Sequence, residues 1–288
     1  MTEFITSLDG TRIAYERSER RGAAIPLLLV HGGFVDRGIW QQVAPALAQH
    51  FTVYAMDRRG HGQSGPYRPG HTLEAEYADV AALIDHIGEP LYLLGYSAGG
   101  PVALGAARLR QRPASAGLRP GQVRKLVLYE PARLGAGMLP EELRQRLQAG
   151  LAARDWDGLV RMALMEVVGG LHDPAGAGRW SGPRIQVRED FRRSLLWQNA
   201  LHNAAVIPAE LESLSAAAYD LKAVRSLEVP TLLLVGSKSP PRNREPAETL
   251  LTALPHARLE ALPGQSHGAM FTAPELFAER IIEFLSEE

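Results

Sequence analysis

The sequence contains no cysteine among its 288 residues. This absence excludes disulfide bonds, a thiol nucleophile and cysteine-ligated metals, and it is compatible with a reducing compartment. No apolar run approaches the roughly 20 residues needed to span a bilayer, and the first residues lack the basic and apolar segments of a secretory leader. The sequence therefore predicts a cytoplasmic protein without a membrane partner.

The chain also lacks an excess of charge, because its formal net charge is −1 and its arginines are scattered along the sequence. Proteins that bind nucleic acid usually gather their cations on one face, so nucleic acid is not expected as a partner. The apolar share of 45% and the charged share of 22% are close to average globular usage. We therefore expect one large domain, or a core with an insertion.

Short segments rich in Leu and Val alternate with helical patterns, which is typical of a parallel sheet covered by helices on both faces. Asp9-Gly10 has the turn chemistry of an opening hairpin. Apolar spacing predicts helices around residues 73–87 and 277–285. The predicted buried strands are residues 26–30, 51–56, 91–94, 123–129, 231–235 and 257–262.

This alternation stops between residues 135 and 223, where the pattern is helical or irregular and residues 169–183 are loop-like. The pattern predicts a helical cap inserted into a core formed by residues 1–134 and 224–288, with helices near 143–151, 159–166 and 191–197. Apolar stripes of this kind usually face a core, but a cap over a sheet edge also lines a pocket. The large side chains expected in that pocket are Trp156, Met162, Met165, Trp180 and Trp197.

A Gly-x-Ser-x-Gly sequence, Gly95 to Gly99, lies between a strand-like and a helix-compatible segment. In that position it forms a sharp turn that only small flanking residues permit, and it exposes the serine hydroxyl above the sheet edge. The following helix N-terminus stabilises negative charge on a substrate oxygen. Ser97 is therefore a candidate nucleophile and the adjacent Tyr96 a candidate substrate contact, although ordinary glycine-rich loops also contain the bare pattern.

Three further segments stand in a definite order around this turn. His31 to Phe34 follows a predicted strand, residues 57–65 follow the next strand with the form Asp-x-Arg-Gly-x-Gly-x-Ser, and residues 264–268 surround His267 after the last strand. Together the four segments resemble the α/β-hydrolase family over nearly the whole chain. The resemblance implies an α/β-hydrolase fold, a mostly parallel doubly wound sheet with a helical cap insertion.

The resemblance also implies roles for several residues. His267 stands where the family has its catalytic histidine, so it is expected to act as general base toward Ser97 and then as general acid toward the leaving group. The oxyanion needs two donors, of which the Ala98 backbone N–H is one and Gly33 or Phe34 supplies the other. His31 and His61 are expected to stabilise turns rather than to take part in catalysis.

The third triad member departs from the family pattern. The position where relatives usually have an aspartate is Ser239, and a hydroxyl cannot replace a carboxylate that orients and stabilises an imidazolium. Glu130 follows the strand before the cap, where some relatives place the acid, and parallel strands end at one edge of the sheet. Glu130 is therefore the predicted acid. In one alternative, Glu130 has a structural role and either caps the first turn of the helical cap or pairs with Arg133. In the other, Glu245 or Asp220 supplies the triad acid.

The sequence calls for no cofactor, because it has neither a metal-ligand pattern nor a phosphate-binding loop. A serine nucleophile implies an acyl-enzyme. We expect a serine hydrolase, a carboxylesterase or lactonase, whose partner is a small to medium apolar ester. Two alternatives stay open, namely a carbon–carbon bond hydrolase or non-hydrolytic tailoring catalyst, and a ligand-binding protein with little turnover.

Overall fold

The computed structural model describes residues 1–18, 24–68, 70–111, 122–167 and 189–287. Trp180 and the loop-like segment 169–183 lie outside these residues.

One eight-stranded sheet forms the centre of the molecule, with the strand order β1-β2-β4-β3-β5-β6-β7-β8. The strands are β1 (Thr2–Thr6), β2 (Arg12–Ser18), β3 (Pro26–Val30), β4 (Thr52–Met56), β5 (Leu91–Tyr96), β6 (Val123–Tyr129), β7 (Thr231–Gly236) and β8 (Ala257–Leu262). The first two strands form the expected hairpin, β2 is antiparallel to β4, and all other neighbours are parallel. The predicted opening hairpin and the six further strands are confirmed, but β8 lies at the edge of the sheet and only Leu262 of its residues is buried, so the prediction that this strand is buried is wrong.

Helices cover both faces of the sheet. The helices are α1 (Ala44–Leu47), α2 (Leu73–Ile87), α3 (Gly99–Gln111), α4 (Glu141–Ala153), α5 (Trp156–Arg161), α6 (Glu189–Arg192), α7 (Leu195–His202), α8 (Ile207–Ala216), α9 (Leu221–Val224), α10 (Pro241–Leu251), α11 (Ala269–Thr272) and α12 (Pro274–Ser286). Alternate residues of one strand enter different cores: Leu28 packs with α2 and α3, whereas Leu27 packs with α1 and α12. This double covering explains why the central strands are apolar on both faces.

The segment between β6 and β7 holds α4 to α9, and its described residues contain no strand. Its apolar side chains form a separate cluster that includes Leu147, Leu159 and Trp197. The predicted second helix continues from α5 into a π-helical turn, Met162–Val167. The predicted third helix is two helices, α6 and α7. Ser194 interrupts the helix between them, and its side chain accepts a hydrogen bond from the Trp197 N–H (3.3 Å) that caps α7. We call this segment between β6 and β7 the cap. Its division from the core as a separate domain stays a prediction.

Candidate active site

Four loops that follow β5, β6, β7 and β8 meet at one edge of the sheet. They carry Ser97, Glu130, Ser239 and His267, in that order. The strands are parallel, so their carboxyl ends point the same way and bring residues distant in sequence together.

Ser97 occupies the turn from β5 into α3 with a φ of 49°. Its N–H donates to the Tyr129 carbonyl at 3.0 Å, and its own carbonyl accepts from the Ala132 N–H at 2.9 Å. The turn passes so close to β3 that a Cβ atom at Gly99 would lie 2.3 Å from the His31 carbonyl oxygen. Glycine is therefore required there, which gives the sequence pattern its physical cause.

His267 connects the serine to the carboxylate. Its Nε2 lies 3.2 Å from the Ser97 Oγ, and its Nδ1 lies 2.7 Å from the Glu130 Oε2. The His267 side chain is 12% exposed and that of Glu130 is fully buried. The structure thus brings together the three side chains that the sequence places in the triad, within the range of proton transfer.

Glu130 is held as an anion by several donors. Its Oε1 accepts from the Gly236 N–H at 2.7 Å and from the Ser239 hydroxyl, and its Oε2 also accepts from the Asn243 side-chain amide at 3.2 Å. Burial raises the pKa of Glu130, but the hydrogen bonds from His267, Ser239 and Gly236 and the charge of His267 outweigh burial and hold it below its ordinary value. Ser239, at the usual acid position, thus donates a hydrogen bond to the carboxylate that is predicted to replace the acid.

The contacts of Glu130, Asp220 and Glu245 do not match the alternative roles considered for them. Within the described residues, the hydrogen-bond and ion-pair partners of the Glu130 carboxylate do not include Arg133. Asp220 caps α9 by accepting from the Ala223 N–H at 3.0 Å, and Glu245 is an exposed residue of α10. Neither Asp220 nor Glu245 has a hydrogen bond to His267 among the described residues.

Left-handed backbone conformations concentrate at this site. Four described non-glycine residues have a positive φ, and three of them are Phe34 (68°), Ser97 (49°) and Glu130 (41°). Such conformations cost free energy in residues with a Cβ atom and persist only where surrounding contacts enforce them. The strain therefore falls on the candidate nucleophile, on the candidate acid and on the loop that contains Phe34.

The structure distinguishes the two amides proposed for the oxyanion. The Phe34 N–H donates to the Glu210 Oε2 at 2.9 Å and is therefore occupied, so the expectation that it serves as donor is wrong in this structure. The amides of Gly33 and Ala98 have no acceptor within the described residues, and both residues line the cavity beside Ser97. This geometry favours Gly33 over Phe34. Nothing local in the sequence signals Glu210, because it reaches the loop from a cap helix 176 residues later.

The other two histidines of these loops make structural hydrogen bonds. His31 Nε2 accepts from the Arg58 N–H at 2.9 Å, and its Nδ1 lies 2.7 Å from the Gly32 carbonyl. Burial, with the nearby charges of His61 and Arg58, lowers the pKa of His31 well below its ordinary value. His61 Nδ1 lies 2.9 Å from the Arg59 carbonyl. These contacts agree with the expected role in stabilising turns.

A cavity of about 960 Å³ opens over Ser97 and His267. Tyr96 lines it as expected, with its ring 5.0 Å from the His267 ring. Its charged lining includes Arg146 and Glu166, which pair with each other at 2.7 Å. The apolar lining from the segment between β6 and β7 includes Met138, Leu143, Leu164, Val167, Leu196, Leu211 and Leu214.

The four described cap residues that the sequence places in the pocket do not line it. Met162, Met165 and Trp197 are buried in the cluster that the cap helices form among themselves. Trp156 begins α5 and is 37% exposed to solvent. The expectation is wrong for these residues, because size and helical spacing show that a side chain is apolar but do not show which neighbour it faces.

Within the described residues, no group of three or more His, Asp or Glu side chains is arranged to hold a metal ion. No helix of the described part is long and apolar enough to cross a membrane.

Comparison with known proteins places this geometry in a family. A sequence model described as the alpha/beta hydrolase family matches residues 27–280. The chain belongs to the alpha/beta hydrolase family. Its fold class is thereby confirmed, and within the family it is similar to a non-heme haloperoxidase from Rhodococcus erythropolis, with 29% identity over 92% of each chain.

Other members support a hydrolase. A pimeloyl-[acyl-carrier protein] methyl ester esterase from Nitrosospira multiformis is 27% identical over 92% of this chain and 96% of the relative. A crystal structure of an alpha/beta hydrolase from Sphaerobacter thermophilus is 29% identical, with a TM-score of 0.76 over 99% of this chain and 100% of that one. An enol-lactonase from Burkholderia xenovorans has the same fold, with a TM-score of 0.73 at 20% identity and coverage of 99% and 100%.

Proposed function

We propose that this protein is a cofactor-independent serine hydrolase that acts through an acyl-enzyme on a small to medium apolar ester or lactone. The observation that carries the proposal is the pair of contacts made by one imidazole, 3.2 Å to the Ser97 Oγ and 2.7 Å to the Glu130 carboxylate. A serine hydroxyl is a weak nucleophile near neutral pH, and an adjacent oriented base removes that limitation.

In the acylation step, the Ser97 Oγ attacks the substrate carbonyl carbon while its proton passes to the His267 Nε2. The carbonyl oxygen becomes an oxyanion that accepts hydrogen bonds from the Ala98 and Gly33 amides. Glu130 keeps the imidazole in the tautomer that accepts this proton, and its negative charge stabilises the imidazolium. The imidazolium then protonates the leaving alkoxide oxygen, the carbon–oxygen bond breaks, and the alcohol departs from an acylated Ser97.

In the deacylation step, water takes the place of the alcohol. His267 accepts a proton from this water as its oxygen attacks the acyl carbon, and the second oxyanion occupies the same pair of amides. When this intermediate collapses, the bond to the Ser97 Oγ breaks and His267 returns its proton to that oxygen. Together the two steps release an alcohol and a carboxylic acid and regenerate the free enzyme, so the ester and water are the only reactants that the mechanism needs.

The apolar part of the cavity supports the substrate class. Five leucine side chains of the cap line the same cavity as Ser97, and the volume of about 960 Å³ accommodates a compound of medium size. The activity of the Nitrosospira multiformis esterase relative agrees with an ester substrate, and the enol-lactonase shows that the same fold also occurs in a lactonase. Burial of an alkyl or aryl group against these leucines stabilises the bound substrate by about 25 cal/mol per Å² of apolar surface.

A fluorophosphonate probe tests the proposal directly, because it forms a covalent bond only with an activated serine. We expect rapid labelling of the wild-type protein and none of Ser97→Ala. Ser226→Ala is the matched control, since Ser226 is an exposed serine that does not line the cavity. Its labelling rate should equal that of the wild type.

Wild-type labelling no faster than that of Ser97→Ala would contradict the proposal and favour the ligand-binding alternative. A screen of esters and lactones of graded acyl length, with product analysis and Ser97→Ala as the blank, then defines the reaction. Release of the carboxylic acid supports hydrolysis, whereas carbon–carbon cleavage or a transferred group supports the other enzymatic alternative.

A further inference from the structure

Glu210 is a buried carboxylate of the cap helix α8 that contacts the loop after β3. Its Oε2 accepts from the Phe34 N–H at 2.9 Å, and only 1% of its surface is exposed. The carboxylate also lies against Gly33, where a Cβ atom would come within 3.2 Å of the same Oε2. Glu210 thus binds the Phe34 amide and lies beside Gly33, the two residues considered as oxyanion donors, but it does not line the cavity itself.

The position of this carboxylate is fixed from the core side. Its Oε1 accepts from the Arg58 Nη1 at 2.7 Å, and its Oε2 lies 3.2 Å from the His61 Nε2. Burial raises the pKa of Glu210, but the charges of Arg58 and His61 and the hydrogen bonds outweigh burial and hold it well below its ordinary value. The group is therefore a fixed anion between cap and core.

The hydrogen bond between Glu210 and the Phe34 amide leaves the Gly33 amide, within the part of the chain that the structure describes, as the free donor of the two beside the cavity. Phe34 has a φ of 68°, a conformation that needs support from its surroundings. With its N–H held by Glu210, the preceding amide of Gly33 is left without an acceptor among the described residues and next to the cavity. The cap holds the same loop a second time, because the Asn199 Oδ1 accepts from the Asp36 N–H at 2.7 Å.

We propose that Glu210 is a positioning residue for the oxyanion hole: by holding the Phe34 amide from the cap, it directs the Gly33 N–H toward the developing oxyanion. The inference rests on the proposed serine hydrolase function. It assigns the cap a part in the chemical step, because the donor that meets the oxyanion is aligned by a residue of the cap.

The test compares Glu210→Ala and Glu210→Gln with the wild type, at a temperature where all are folded by circular dichroism. Loss of the Phe34 contact should lower kcat by about 10- to 100-fold at nearly unchanged KM, because the oxyanion forms only after binding. The affinity for a trifluoromethyl ketone, whose adduct with Ser97 carries an oxyanion, should fall by the same factor. Glu210→Gln retains one acceptor oxygen and should lie between Glu210→Ala and the wild type.

Two control variants separate positioning from stability. Glu212 is on the same helix but forms an exposed ion pair with Arg144, so Glu212→Gln should change neither kcat nor ketone affinity. Glu76 is the other carboxylate that binds the Arg58 guanidinium, at 2.7 Å. Glu76→Gln should lower the free energy of unfolding and leave kcat within about twofold of the wild type, since it does not contact the loop.

A measurement on the wild-type protein covers the case in which the Glu210 variants do not fold. In amide NMR spectra, the Phe34 N–H should be protected from hydrogen exchange in the free enzyme. The Gly33 N–H should exchange faster and should shift and become protected only when the trifluoromethyl ketone is bound. The opposite result, a response at Phe34 and none at Gly33, overturns the inference.

The outcomes separate this inference from the function on which it rests. If phosphonate labels wild-type Ser97 but a folded Glu210→Ala variant keeps wild-type kcat and ketone affinity, the positioning role is wrong and the hydrolase proposal stands. If the wild type is not labelled, the hydrolase proposal fails first, and the ketone will not shift the Gly33 amide either. A parallel fall in kcat and ketone affinity supports both.

Discussion

The edge of the sheet and the cap both line the cavity, but they contribute to it in different ways. The sheet edge supplies Ser97, Glu130 and His267 from three loops, each directly after a parallel strand. The cap supplies mostly apolar side chains, while its buried Trp197 packs inside the cap. Polar groups that must meet within about 3 Å come from loops that directly follow sheet strands, and most of the apolar lining comes from the cap.

Backbone strain follows the same division. Ser97 and Glu130 hold left-handed conformations at the ends of buried strands, where their N–H groups donate hydrogen bonds to the neighbouring strands and fix the chain. In the described part of the cap, the one non-glycine residue with positive φ is Arg154, which ends a helix. A sheet edge thus tolerates strain where side chains must converge, whereas the described part of the cap has a non-glycine residue with positive φ only at the end of a helix.

The largest effect is expected at the sheet edge, from Glu130→Gln. The amide keeps the size of the side chain but removes the charge that orients His267 and stabilises its protonated form. We expect kcat to fall by about 10²–10⁴-fold. Steady-state kinetics measure this fall, and circular dichroism checks that the fold is retained.

The serine at the usual acid position makes this prediction sharper. The Ser239 hydroxyl donates to the Glu130 carboxylate, so both loops face the same imidazole. Adding Ser239→Asp to Glu130→Gln should therefore restore part of kcat, whereas Ser239→Ala in the same background should not. Wild-type activity of Glu130→Gln alone would remove Glu130 from the triad.

A second prediction concerns two tryptophans of the cap. Trp197 is 1% exposed and packs in the cap cluster, so Trp197→Ala should lower the free energy of unfolding by about 3–5 kcal/mol. Trp156 is 37% exposed, and Trp156→Ala should change it by less than about 1 kcal/mol. Urea unfolding measures both. Equal losses for the two variants would show that the described packing of the cap is wrong.

The last prediction is a pH dependence of stability where cap and core meet. The folded-state pKa of Glu210 lies below its ordinary value of 4.5, so its ionised form contributes stability that is complete above that pH and is lost as the pH falls below it. At about pH 7, Glu210→Gln should lower the free energy of unfolding by about 3 kcal/mol. This difference from the wild type should shrink on acidification. A difference that is constant between about pH 7 and pH 3 contradicts the ionic role.

Much of the fold and of the triad follows from local patterns. The strand predictions succeed because β3 and β5 to β7 are buried on both faces and are therefore read as short apolar runs. The meeting of the three residues predicted for the triad follows from topology, because any loop after a parallel strand opens at the same edge. Glu130 could also be predicted as the acid from the sequence, because it directly follows β6 and because Ser239 cannot act as a carboxylate.

The sequence by itself determined the order of strands and helices, the position of the Ser97 turn and the set of side chains that meet at the sheet edge. Only the tertiary structure decided that Phe34 donates to Glu210, that Gly33 is left beside the cavity, and that Met162, Met165 and Trp197 face the interior of the cap. The reason is physical. Periodicity defines the apolar face within one helix or strand, but the rotation and approach of one element against another depend on packing contacts between residues far apart in the chain.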